Sequence, residues 1–150
     1  MSDKSEFDPE KISIIEFKFI KALVVTPESF ITEKADDFQL ENTLQLSFNL
    51  EEKLVKADFT VEITTNSKGI NGKEASGNFH LVFIYRVLNL EKLTEPEKNN
   101  LIELHPDLGN ALSAVTYSTS RGILMMRMQG TALQNFILPI INPNKLLPGT

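Results

Sequence analysis

The sequence predicts an α+β domain in which a four-stranded antiparallel sheet is followed by one long helix. Three observations carry that reading. The first part of the chain alternates apolar and polar residues with a period of two, and turn-forming clusters separate the alternating runs. All 20 acidic residues lie in the first 107 positions, so the segment from Leu108 to Thr150 contains neither Asp nor Glu. Within it, NALSAVTYSTSRGILMM (Asn110 to Met126) is built largely from Ala, Ser, Thr and Gly. So few charges suit close packing better than contact with water, and the stretch reads as a buried helix or a subunit interface.

From Ile15 to Val25 the odd positions Ile15, Phe17, Phe19, Leu23 and Val25 are apolar, Lys21 excepted, and Glu16 and Lys18 stand between them. This predicts a strand with one buried face. Leu44, Leu46, Phe48 and Leu50 alternate with Thr43, Gln45, Ser47 and Asn49. After the polar Glu51-Glu52-Lys53, Ala57, Phe59, Val61 and Ile63 alternate with Asp58, Thr60, Glu62 and Thr64, completing a hairpin. Asn66-Ser67-Lys68-Gly69 and Asn71-Gly72-Lys73 predict a second hairpin connection. In the next run Phe79, Leu81, Phe83, Tyr85 and Val87 continue a buried face, but Val82, Ile84 and Leu88 make the opposite face apolar as well. Antiparallel strands commonly keep one face polar. Either a helix or another subunit covers that second face, or it lines an apolar groove for a ligand.

Thr94-Glu95-Pro96-Glu97 has the spacing of a capping box with Pro in the first turn, so a short helix is expected from about Glu95 to Leu104, ended by His105-Pro106. Asp107 is the expected cap of the next helix, which carries Leu108, Leu112, Val115, Thr119, Gly122 and Met126 at helical spacing and stops near Gly130. The tail FILPIINPNKLLPGT has three prolines and is not expected to hold a long helix. The chain reads as a single domain over 1–150, with a polar extension at 1–10 and a Pro-rich segment at 132–150.

At 150 residues the chain is long enough to bury roughly two-thirds of its unfolded surface. It has no cysteine, which removes disulfides, thiolate metal sites and a Cys nucleophile. The start, MSDKSEFDPE, lacks the basic and apolar parts of a secretory signal, and no apolar run approaches the about 20 residues that span a bilayer. A cytoplasmic protein is expected. The net charge of -5 and the scatter of its 15 basic residues argue against nucleic acid and anionic membrane as partners.

Catalytic chemistry needs convergent acids, bases or nucleophiles. His80 lies in a strand pattern and His105 precedes a proline, neither with a metal-ligand partner at short spacing, while Asp36-Asp37 and Glu51-Glu52 read as solvated loop charges. There is no glycine-rich phosphate cradle and no Gly-x-Ser-x-Gly elbow. The expectation is a protein that is not an enzyme and takes no cofactor and no metal.

The order of parts, and above all Tyr117-Ser118-Thr119-Ser120-Arg121-Gly122 followed by Phe136-Ile137-Leu138-Pro139-Ile140-Ile141-Asn142-Pro143, resembles the SecB family of protein-export chaperones. FKFIKALVVTPESF (Phe17 to Phe30) similarly resembles that family's first strand and its exit. The resemblance implies a homotetramer, a dimer of dimers, that binds unfolded or precursor polypeptides in apolar grooves. It also implies that Ala111, Ala114, Ser118 and Gly122 allow close approach between subunits. Two departures accompany it: the family's second helix would begin where Lys145 to Thr150 stand, and the acidic tail through which many members contact the export ATPase is missing, which leaves little basis for docking to that motor. Other SecB-like proteins serve toxin-antitoxin pairs. Client contacts are expected from Phe30, Ile31 and Phe38 in the first loop, Val82, Ile84 and Leu88 on the strand, and Leu93, Leu101 and Ile102 in the crossover. The competing readings are a small apolar-ligand or lipid carrier and an enzyme with a dispersed site using His80 with Glu62 or Glu74.

Overall fold

The computed structural model describes residues 7–30, 35–67, 74–96 and 102–147. Four long strands, β1 (Ile12–Val25), β2 (Ala35–Asn49), β3 (Leu54–Ser67) and β4 (Ser76–Val87), form one antiparallel sheet in the order β1-β4-β3-β2. A line of opposed residues, Phe19, Leu81, Phe59 and Leu44, crosses all four strands in register. The short β5 (Thr94–Pro96) and β6 (Ile102–Leu104) pair antiparallel, and α1 (Pro106–Arg127) follows.

β3 and β4 keep strict alternation because no bulge interrupts their mutual ladder. Val55, Ala57, Phe59, Val61 and Ile63 on one strand and Phe79, Leu81, Phe83, Tyr85 and Val87 on the other are buried beneath α1 and the segment after it. α1 is held over this face by an edge-on contact of Tyr117 with Phe59 and by a hydrogen bond between the hydroxyls of Tyr85 and Thr116 at 2.7 Å. The helix buries Leu108, Leu112, Ser113, Thr116, Tyr117, Ser120 and Leu124.

Four expectations are corrected. At the described ends of the helix expected from Glu95 to Leu104 there are strands instead: the Thr94 hydroxyl donates back to the Leu90 carbonyl at 3.1 Å rather than capping forward, and Thr94–Pro96 pairs with Ile102–Leu104. The α1 cap is His105, whose ring Nδ1 accepts from the Asp107 amide at 3.1 Å, with Pro106 inside the first turn. On β1 the odd-position pattern fails, because the ladder to β4 shifts between Ile14 and Glu16 and again between Phe19 and Lys21. Each shift inserts one residue and turns the alternation over, so Lys21, Leu23 and Val25 stand opposite His80, Asn78 and Ser76 while Ala22 and Val24 join the core face. Leu50 leaves the strand for an exposed position in the β2–β3 turn, where Lys53 takes φ 61°.

Candidate functional site

α1 lies across β3 and β4 and leaves much of β1 uncovered. Ile14 is 47% exposed and Phe17 37% exposed. Between the start of β1 and the helix opens an apolar cleft of about 360 Å³, lined by Pro9, Ile12, Ile14, Tyr85, Leu112 and Val115. Its floor includes the buried Tyr85, whose phenol burial pushes up to a pKa of about 12 although the Thr116 hydrogen bond pulls the other way. Burial raises Tyr117 too, against the opposing pull of the Arg121 charge.

The outward side of α1 continues the open surface. Val115, Met125 and Met126 are exposed, and so are Ser118 and Gly122. A side chain built at Gly122 would meet nothing within 4 Å. Beyond α1 the chain turns at Gly130, φ +80°, and returns along the helix. On this return Ile137 and Ile140 are exposed, while Phe136 and Leu138 enter the core.

The opposite face of the sheet is chemically different. Its charges pair locally: Lys18 with Glu16 at 3.2 Å, Lys56 with Asp58 at 3.7 Å, and His80 Nε2 with Asp58 Oδ1 at 2.7 Å. A hollow of about 600 Å³ lies there among Lys21, Glu41, Thr60, Glu62, Asn78 and His80, with the exposed Ile20 beside them. His80 thus meets Asp58 rather than the expected Glu62 or Glu74; Glu62 is near Asn78, and Glu74 accepts from the Thr65 hydroxyl. Among the described residues no group of three or more His, Asp and Glu is arranged to hold a metal ion, and no helix is long and apolar enough to cross a membrane.

The residues expected to touch a client do not converge on one surface. Val82 is fully buried, in register between Lys18 and Asp58 on the polar face, and Leu93 is in the core. Ile84 borders a small depression with Phe48 and Leu54. Leu88 is exposed beyond β4, and Phe30 is half-buried after β1. Phe38 belongs to β2 and not to the first loop as expected, since it pairs with Thr65, and its ring meets that of Phe136 edge-on at 5.3 Å. Ile102 lies in β6, and Ile31 and Leu101 fall outside the described residues. Of the small residues on α1, Ala111 and Ala114 are half-buried, Ala111 lining the cleft beside Ile12, Ile14 and Tyr85, while Ser118 and Gly122 are exposed. Sequence reasoning missed Ile14, Val115, Ile137 and Ile140 as open apolar positions. The doublets Ile14-Ile15 and Phe19-Ile20 fall at the two bulges that rearrange β1.

The sequence matches no family model, and no curated protein matches it. Its three-dimensional likenesses reach further. The Mycobacterium tuberculosis Rv1957 SecB-like chaperone, solved in complex with a ChAD peptide from the Rv1956 HigA1 antitoxin, superposes with a TM-score of 0.61 at 10% identity, covering 88% of this chain and 91% of that one. A Streptococcus agalactiae protein of unknown function covers 86% of this chain and 97% of its own at 9% identity, but its TM-score of 0.30 is too low to argue from. A four-stranded antiparallel sheet with one long helix across it, shared with the mycobacterial chaperone over nearly the full length of both chains, gives this protein a SecB-like fold.

Proposed function

We infer that the protein binds segments of non-native polypeptide on apolar surface, as a SecB-like chaperone, with no chemical step. The observation that supports the reading most is the apolar surface left open on β1 and α1, where Phe17 is exposed and Ile14 and Val115 flank a cleft that no described residue fills. Exposed apolar area of this kind marks a surface for other polypeptide, and it grips by area rather than by side-chain pattern. The SecB-like fold and the peptide held by the mycobacterial chaperone agree with this reading. Clients are defined by their non-native state, whether they are precursors bound for export or members of a toxin-antitoxin pair. Phe30, Ile84 and Leu88 are the expected client positions that remain accessible.

The assembly that fits is a homotetramer, a dimer of dimers, in which Ala111, Ala114, Ser118 and Gly122 meet another copy. Gly122→Glu tests it sharply. A lone chain should tolerate the change and gain about 0.5–1 kcal/mol from losing a mid-helix glycine. Packing between helices would instead bury an unpaired carboxylate, and the mass in solution should fall.

The deciding experiment for function combines a light-scattering mass with suppression of aggregation of a chemically unfolded protein. A particle of several chains that holds the unfolded protein in solution bears the reading out. Retention of small apolar compounds together with indifference to unfolded protein would favour the carrier reading, to which the cleft's volume is also suited.

A further inference from the structure

We propose that Met125 and Met126 form an oxidation site that governs contact between copies of this chain: converted to sulfoxides by a peroxide, they close the outward side of α1 to a second copy, and reduction opens it again. The inference rests on the assembly of several copies proposed above and adds its regulation.

The sulfur of this chain is concentrated. It has no cysteine, and three of its four methionines, Met125, Met126 and Met128, stand together at the end of α1 and its cap. With no thiol and no tryptophan, these thioethers are the side chains that a peroxide attacks first. The helix presents them unequally. Met126 is 78% exposed and Met125 39%, whereas Met128 is 1% exposed within the core, its carbonyl accepting from the Thr131 hydroxyl at 2.7 Å. Two open thioethers thus lie beside a shielded one that serves as their internal control.

Their place on the helix gives oxidation a consequence. Met126 lies one turn beyond Gly122, and Met125 three residues beyond it, so both extend the side that carries the exposed Val115, Ser118 and Gly122. A flexible, polarizable thioether suits apolar contact there. In the reaction a sulfur lone pair attacks one peroxide oxygen, the O–O bond breaks and an S–O bond forms; the hydrogen of the attacked oxygen passes to the departing hydroxide, which leaves as water. Sulfur is oxidised and the peroxide reduced. Methionine sulfoxide reductases reverse the change with a pair of thiols, which become a disulfide as the oxygen leaves as water. The sulfoxide is polar, so a second copy that covers it without supplying a donor loses affinity, and a two-fold contact counts each change twice. A copy packed on this side also shields the sulfur. Oxidation therefore proceeds through the separated chain and is fastest at high dilution.

The test treats the full chain with hydrogen peroxide, removes the oxidant, locates the added oxygen by mass spectrometry of peptides and checks the fold by circular dichroism. Light scattering over a dilution series then gives the dissociation curve. Met126 should gain oxygen first, Met125 more slowly and Met128 only on unfolding, and the folded, oxidised chain should dissociate at about tenfold higher concentration than the untreated one. Sulfoxide reductases should restore the original curve. Met126→Gln, polar without any oxidant, should move the curve in the same direction. A variant with both Met125→Leu and Met126→Leu should give one curve before and after peroxide; if it does not fold, Met126→Leu alone, losing most of the response, decides the matter. Oxidation of Met126 in a folded chain with an unchanged curve overturns the inference, as does a response that survives in the folded leucine variant, or oxidation of Met128 as readily as of Met126. An untreated chain that stays single at every concentration overturns the inference together with the assembly it rests on. A curve that responds as expected, in a protein that fails to keep an unfolded client in solution, upholds the oxidation site while the chaperone reading fails.

Discussion

β4 and β1 lie side by side, pair over almost their whole lengths and are both rich in apolar residues, yet they end in different environments. Phe83 and Phe17 face one another across the ladder with ring centroids 5.0 Å apart; Phe83 is 1% exposed and Phe17 37%. β4 has a strand on each side and α1 above. β1 is an edge strand whose two bulges redirect its side chains, and α1 covers it only in part: Arg127 lies over the Phe19 ring at 5.5 Å, while Ile14 and Phe17 stay open. Alternation thus reports which residues share a face. Whether that face is covered depends on a helix that comes later in the chain.

The comparison breaks most visibly by truncating the opposed pair. Phe83→Ala should cost about 3–5 kcal/mol, since it removes a buried ring and leaves a cavity. Phe17→Ala should cost roughly 1–2 kcal/mol in a chain unfolded alone, because part of that ring already faces water. Urea denaturation of both variants provides the check. Equal losses would mean that something covers Phe17 in solution.

A smaller effect sharpens what burial means on β4. The Tyr85 phenol is held at about pKa 12 in the folded chain against an ordinary value near 10. Between those values the unfolded chain gives up the proton while the folded chain keeps it. The contribution is therefore complete below pH 10 and is lost as pH rises to about 12, a total of roughly 2–3 kcal/mol. Tyr85→Phe should flatten the alkaline fall in stability over that window, leaving the part that the raised Tyr117 contributes in the same direction. Below pH 9 the variant should be less stable by about 1–2 kcal/mol, because the buried Thr116 hydroxyl loses its partner.

β3, β4 and α1 were legible because each keeps a single uninterrupted period and ends at residues with clear local preferences. In the failures a competing partner, near or distant along the chain, overruled the expected one. The hydroxyl of Thr94 had the right spacing for a helix cap, but a carbonyl of the preceding turn claimed it, and β6 took Thr94–Pro96 as a partner. Val82 did break the polar alternation of its face as expected, yet it is fully buried in place, in register with Lys18 and Asp58. The open cleft was the least legible part of all. It is defined by where α1 stops covering β1, and neither element alone records that angle.

The smallest effect on stability tests that cleft most directly. Ile14 is 47% exposed, and in a single chain Ile14→Ser removes little buried area, so the expected cost is below about 1 kcal/mol. A cleft used for contact predicts a larger change elsewhere. If another copy of the chain covers β1, the mass by light scattering should fall at a concentration where the wild type stays assembled. If client polypeptide occupies the cleft, the mass should hold and aggregation of an unfolded protein should be suppressed several-fold less well, since a serine hydroxyl in that position would be desolvated without a partner. A variant that keeps its fold, its mass and its holding activity would show that β1's open face is ordinary exposed surface, and would move the binding surface to the outward side of α1.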